Sequence, residues 1–133
     1  MEKWNNLKEY FGSKFNNITF LEVILYVDMP LIVTFISDGK YYIGYLYKFD
    51  NSTFNAHWLI SETTNQKILA LIDGHISMNE IMIKNKQKCY FLSVEDGIPN
   101  LKGTGNLNFK ISSDFYITKD IPNEINLLNL EIH

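Results

Sequence analysis

Cys89, His57, His75 and Asp73 are the residue types from which a cysteine nucleophile and its base could be assembled. Such a site needs thiolate and imidazole within hydrogen-bond reach, with a third group to orient the imidazole. Nothing in their spacing requires them to meet. Cys89 stands beside Tyr90 and Phe91 in an alternating apolar run, the usual setting of a buried, inert thiol. A metal site built from His57, Asp73, His75 and His133 fares no better, because zinc ligands normally come in closely spaced pairs. Only Asp73 and His75 approach that spacing, and they flank Gly74 at an expected helix end. Gly103-Thr104-Gly105 resembles a piece of a phosphate loop, but Lys102 precedes it and no lysine follows, so it reads as a turn. No catalytic residue, metal or cofactor is assigned, and the chain reads as non-enzymatic.

Two further groups could contact a partner. Lys84, Lys86 and Lys88 alternate with Asn85 and Gln87, which places three ammonium groups on one side of an extended segment. They could meet an acidic partner, or simply guard a solvated strand edge against unwanted pairing. Tyr41, Tyr42, Tyr45 and Tyr47 crowd one expected strand. Tyr41, Tyr45 and Tyr47 share a face, and Tyr42 shares the other with Gly44 and Leu46. If one face lines the core, the other exposes tyrosines, which are enriched at protein interfaces. Cross-strand packing beneath an N-terminal helix is the rival explanation. Tyr41, Tyr45, Tyr47, Lys84, Lys86 and Lys88 form the candidate partner-binding set.

Composition narrows the function classes. All 12 basic residues are lysines, and the net charge is −3. Without arginine there is no planar fork to grip phosphate or guanine, and the charge is spread along the chain, so direct nucleic-acid binding is disfavoured. A hydrophobic share of 46% is far too high for a disordered chain. The longest apolar stretch, Ile18 to Val27, contains Glu22 and is about half of the roughly 20 residues a membrane-spanning helix needs. One cysteine and no basic-then-apolar leader point to the cytoplasm. The length of 133 residues suits a single domain spanning 1–133.

The elements follow from periodicity. Trp4, Leu7, Phe11 and Phe15 fall on one helical face over residues 3–15, and Asn16-Asn17 stops the helix. Residues 18–27, 31–37, 41–49 and 54–60 read as four strands, the last from the alternation of Phe54, Ala56, Trp58 and Ile60. Asp38-Gly39 predicts a tight hairpin, since both residues tolerate positive φ. Ser61 is expected to cap a helix carrying Ile68, Leu71 and Ile72, closed by Gly74. Ser77 and Glu80 predict a capping box ahead of Met78, Ile81 and Met82. Residues 88–94 read as a fifth strand ending at Asp96-Gly97. Short strands within 106–117 and a strand or helix at 125–132 are weaker expectations. The fold class is α+β: an antiparallel meander of about five strands, an N-terminal helix, and a helical pair inserted before the fifth strand.

Asp28-Met29-Pro30-Leu31-Ile32-Val33, Trp58-Leu59-Ile60-Ser61 and Leu71-Ile72-Asp73-Gly74-His75-Ile76-Ser77 resemble, in that order, segments of a family of small bacterial proteins of unknown function. The resemblance covers about residues 26–95 and rests on a strand start, a core tryptophan and two helix caps. His75 and Asn79 stand where that family more often has Lys and Arg. The resemblance implies the fold and no chemistry.

Small size, mild acidity, absent catalytic motifs and the tyrosine-rich strand favour a protein-interaction module. An immunity-type or inhibitor protein, or an accessory subunit of a bacterial or phage conflict system, fits that description. The expected partner is another protein, a basic one by charge complementarity. Self-association stays open, and neither membrane nor nucleic acid is expected. The alternative is a small-molecule-binding domain or minor enzyme with Asp73, His75 and Cys89 in a pocket between sheet and helices.

Overall fold

The computed structural model describes residues 2–26, 30–50, 52–82, 89–104 and 116–117. Helix α1 (Glu2–Gly12) leads into strands β1 (Thr19–Tyr26), β2 (Pro30–Ser37), β3 (Lys40–Phe49) and β4 (Ala56–Thr63). Helices α2 (Asn65–Ile72) and α3 (Met78–Met82) follow, then β5 (Cys89–Glu95) and β6 (Ile98–Thr104). The six strands form one sheet in sequence order, each antiparallel to the next. The architecture is therefore the expected α+β meander with one strand more than the sequence reading supplied.

The sixth strand escaped because Ile98-Pro99-Asn100-Leu101-Lys102-Gly103 lacks apolar alternation. Its turn chemistry was nevertheless present. Asp96 and Gly97 adopt φ of 53° and 76°, matching Asp38 and Gly39 at 50° and 79° in the β2–β3 hairpin. Pro99 opposes Val94, one step beyond the Glu95–Ile98 pair that closes the turn. On an edge strand at that register its nitrogen faces away from β5, so no ladder bond is lost.

Helix boundaries also differ from expectation. β4 runs on through Ser61 to Thr63, and the cap of α2 is Thr64, whose hydroxyl accepts from the Lys67 N–H at 3.2 Å. Ser61 is fully buried and pairs with Cys89 across β4–β5, which removes it from any capping role. At the other end of α2 the His75 N–H donates to the Ala70 carbonyl and the Gly74 N–H to that of Leu71, with Gly74 at φ 79°. This is the left-handed helix stop that the glycine implied. The capping box of α3 forms as expected: the Ser77 N–H donates to Glu80 Oε1 at 3.0 Å, and the Glu80 N–H to Ser77 Oγ at 3.3 Å. The expectations for 106–115 and 125–132 lie outside the described residues.

Both faces of the sheet are covered. Phe35, Tyr42, Gly44, Leu46, Trp58 and Ile60 alternate onto one face, where α1 seats Leu7 and Phe11. The Phe11 ring centroid lies 5.7, 5.4 and 5.2 Å from those of Phe20, Phe35 and Trp58. Phe15, one turn past the end of α1, joins the same cluster against Phe35, Tyr42 and Tyr90. On the opposite face, Ile43, Ser61 and Cys89 lie side by side across β3, β4 and β5, and Cys89 touches the Met82 carbonyl at the end of α3. Ile68, Leu71, Met78, Ile81 and Met82 of the helical pair are buried there.

Burial on both faces sets an alkaline limit to stability. Tyr45 is pushed from 10.0 up to about 12 by loss of solvent, and Tyr42 and Tyr47 are raised for the same leading reason. The unfolded chain releases these protons first. The stability they carry is therefore complete below pH 10 and drains as the pH climbs towards 12. Urea denaturation followed from pH 9 to 12 should show the midpoint falling above pH 10, with a shallower fall in Tyr45→Phe; equal slopes would contradict it.

Candidate functional site

The tyrosine strand does not present the face its alternation suggested. Tyr45 is only 3% exposed, and Tyr42 is also buried, among the rings of Phe15, Phe35 and Tyr90. Tyr45 thus leaves the candidate interface and joins the core. Tyr41 is half-buried, opposite Thr63. Tyr47 remains half-exposed, at a register shift. Between the pairs Leu46–Trp58 and Lys48–His57 the register slips, so Tyr47 and Lys48 together oppose His57. The Tyr47 ring lies 6.2 Å from His57 and 5.8 Å from Phe91. Lys84, Lys86 and Lys88 lie outside the described residues.

His57 and Phe91 are the residues the sequence reading undervalued. Lys48, His57, Ser93 and Asn100 oppose one another across β3 to β6, and Tyr45, Leu59, Phe91 and Lys102 form the next row. Directly opposed side chains share a face. This end of the face, beyond the cover of α3, therefore offers half-exposed Tyr47, His57, Phe91 and Ser93 beside exposed Lys48, Asn100 and Lys102. His57 Nδ1 and Ser93 Oγ are 3.1 Å apart, with the imidazole tautomer deciding which donates. An antiparallel ladder gives that contact to any serine facing any histidine. It holds the imidazole in place, whereas a serine nucleophile further requires a group that orients its base.

The turns at this end of the sheet complete the surface. The β3–β4 turn is held by a Phe54 N–H bond to the Asp50 carbonyl at 2.7 Å and an Asp50 N–H bond to that of Asn55 at 2.9 Å. The Asp50 carboxylate accepts both the N–H and O–H of Ser52, which hold its pKa below the ordinary value. Phe54 sits at φ 60° and is 74% exposed. The sequence reading placed Phe54 as the first inward residue of β4, but the alternation begins only at Ala56. The Asp96 N–H donates to Asn55 Oδ1 at 3.1 Å, which ties this turn to the β5–β6 turn and its 69% exposed Ile98.

The remaining chemical candidates are not brought together. Asp73 and His75 are exposed on the turn between α2 and α3, whereas Cys89 is buried against the far end of α3. Cys89 Sγ lies 3.5 Å from the Met82 carbonyl and 3.7 Å from Ser61 Oγ, and burial pushes its thiol up despite the Ser61 contact. Among the described residues no group of three or more His, Cys, Asp or Glu could hold a metal ion. No family model, curated protein or solved structure matches the chain. Among the described residues, no helix is long and apolar enough to cross a membrane.

Two outcomes follow from these placements. Tyr45→Ala should cost about 3–5 kcal/mol of unfolding free energy, as large-to-small core changes do, and Tyr47→Ala clearly less; similar losses would contradict the burial difference. The Cys89 thiol should react with an aromatic disulfide reagent only as fast as the chain opens, and immediately in denaturant. Prompt reaction in the native state would refute its burial.

Proposed function

We propose that the chain is a non-enzymatic protein-interaction module, of the immunity or inhibitor kind or an accessory subunit of a conflict system. The observation that carries this reading is the half-exposed group of Tyr47, His57 and Phe91, set on ladder-bonded strands. Aromatic side chains held in place by packing lose little entropy on binding, which is why they recur as anchors of protein interfaces. Tyr47 follows Tyr45 on the face that carries Leu59 and Phe91, which sets its ring beside those of His57 and Phe91.

The small-molecule alternative loses its proposed lining. Its three polar groups, Asp73, His75 and Cys89, are split between an exposed turn and a buried strand position.

Capture from the source organism's lysate on the immobilised full chain tests the interaction reading. One stoichiometric partner should be retained by the parent and roughly tenfold less by Tyr47→Ala. Tyr47→Ala must keep the parent's circular dichroism for that comparison. Absence of a retained protein, or equal retention by the variant, would contradict the assignment.

A further inference from the structure

Phe54 combines two costs. Its ring is 74% exposed, and its backbone occupies the left-handed region at φ 60°. For a bulky L-residue that conformation is an outlier normally given to Gly or Asn. Residues held this way persist where the surroundings over-determine them, and they concentrate at functional sites. The surroundings here do so: two backbone bonds close the turn, Asp50 grips Ser52, and Asn55 ties the turn to Asp96. The ring is steadied from behind by Phe49 at 6.2 Å. The neighbouring turn displays a second large apolar side chain, Ile98, at 69% exposure. Single scattered exposed apolar residues need no explanation, but these two stand on turns that the Asp96–Asn55 hydrogen bond ties together.

The charges around them select the partner. Asp50, Glu95 and Asp96 line the two turns, with Lys48 the cation nearest along β3. An acidic rim around apolar tips repels an anionic lipid surface and suits a basic protein. We infer that the paired turns form a binding tip, in which Phe54 and Ile98 enter an apolar cleft on a basic partner protein while Asp50, Glu95 and Asp96 meet its cations. This rests on the interaction reading above and extends it from the aromatic face to the end of the sheet. The strained turn presents Phe54 already in place, so little ordering entropy remains to be lost on contact.

Phe54→Gly is the decisive variant, because glycine suits φ 60°. It removes the ring without straining the turn, and the fold should survive with no lower melting temperature. The probe is a short amphipathic peptide of leucine and lysine, added to the full isotope-labelled chain and followed by amide NMR shifts. Shifts at residues 54–55 and 96–98, weakened roughly tenfold in Phe54→Gly and by added salt, are expected. The double variant Glu95→Gln, Asp96→Asn should flatten the salt dependence. The inference is overturned if the glutamate counterpart of the peptide binds equally, or if Phe54→Gly binds as well as the parent. Binding to phosphatidylcholine–phosphatidylglycerol vesicles would overturn it too, by marking a lipid surface. If the captured partner is lost by Tyr47→Ala but kept by Phe54→Gly, this inference falls and the interaction reading stands; if neither variant matters, both fall.

Discussion

Phe11 resting on Gly44 is the contact around which the molecule is organised. A Cβ at position 44 would lie 3.5 Å from the Phe11 ring, 3.4 Å from Val33 and 3.6 Å from Trp58. The bare backbone of β3 therefore forms the floor of an aromatic nest whose walls are Phe20, Phe35 and Trp58. Three rings around one fully buried phenylalanine gain edge and tilted contacts in addition to apolar burial. This nest fixes α1 to one face of the sheet. Asn17 Nδ2 then donates to Asp38 Oδ1 at 2.8 Å, and Ser37 Oγ donates to the Asn16 carbonyl at 2.5 Å. The helix exit is thereby pinned to the β2–β3 hairpin.

With one face closed by α1 and much of the other by α2 and α3, β3 and β4 become inner strands of a three-layer arrangement. The position of the proposed surface follows from that closure. Most side chains on β3 are committed to packing, so along this strand exposure is left to its bulged end and the turn beside it. Rigidity and exposure meet there. Tyr47 and His57 are carried on ladder-bonded strands, and Phe54 on a turn with its own hydrogen bonds.

Much of this was legible in residue order. Asp-Gly pairs, the Ser77–Glu80 box and Gly74 each signal a local conformation through their own chemistry, and each forms. Leu7 and Phe11 fall on the buried helical side that their spacing indicated, whereas α1 ends at Gly12, before Asn16-Asn17, and Phe15 is buried from the turn beyond it. What was not legible depends on contacts remote in sequence. Ser61 has the chemistry of a cap, yet pairing with Cys89 keeps it in the sheet and leaves capping to Thr64. Tyr45 and Tyr47 stand two residues apart in one alternating strand. They share a face, and what separates the core tyrosine from the half-exposed one is contact with other elements, which alternation along one strand does not encode. Phe54 misled for a related reason: it continues the β4 alternation in type, while its backbone belongs to the turn.

The division between a packed β3 and a bare tip can be read in one experiment. A soluble gadolinium chelate added to the native chain accelerates proton relaxation according to distance from solvent. Strong relaxation of the Phe54 ring and Ile98 methyls, intermediate relaxation of Tyr47 and Phe91, and protection of Tyr45, Ile43 and Phe11 are the pattern this arrangement predicts. Relaxation of Tyr45 as strong as that of Phe54 would contradict the two-sided cover of the sheet, and with it the assignment of binding to its bulged end and turns.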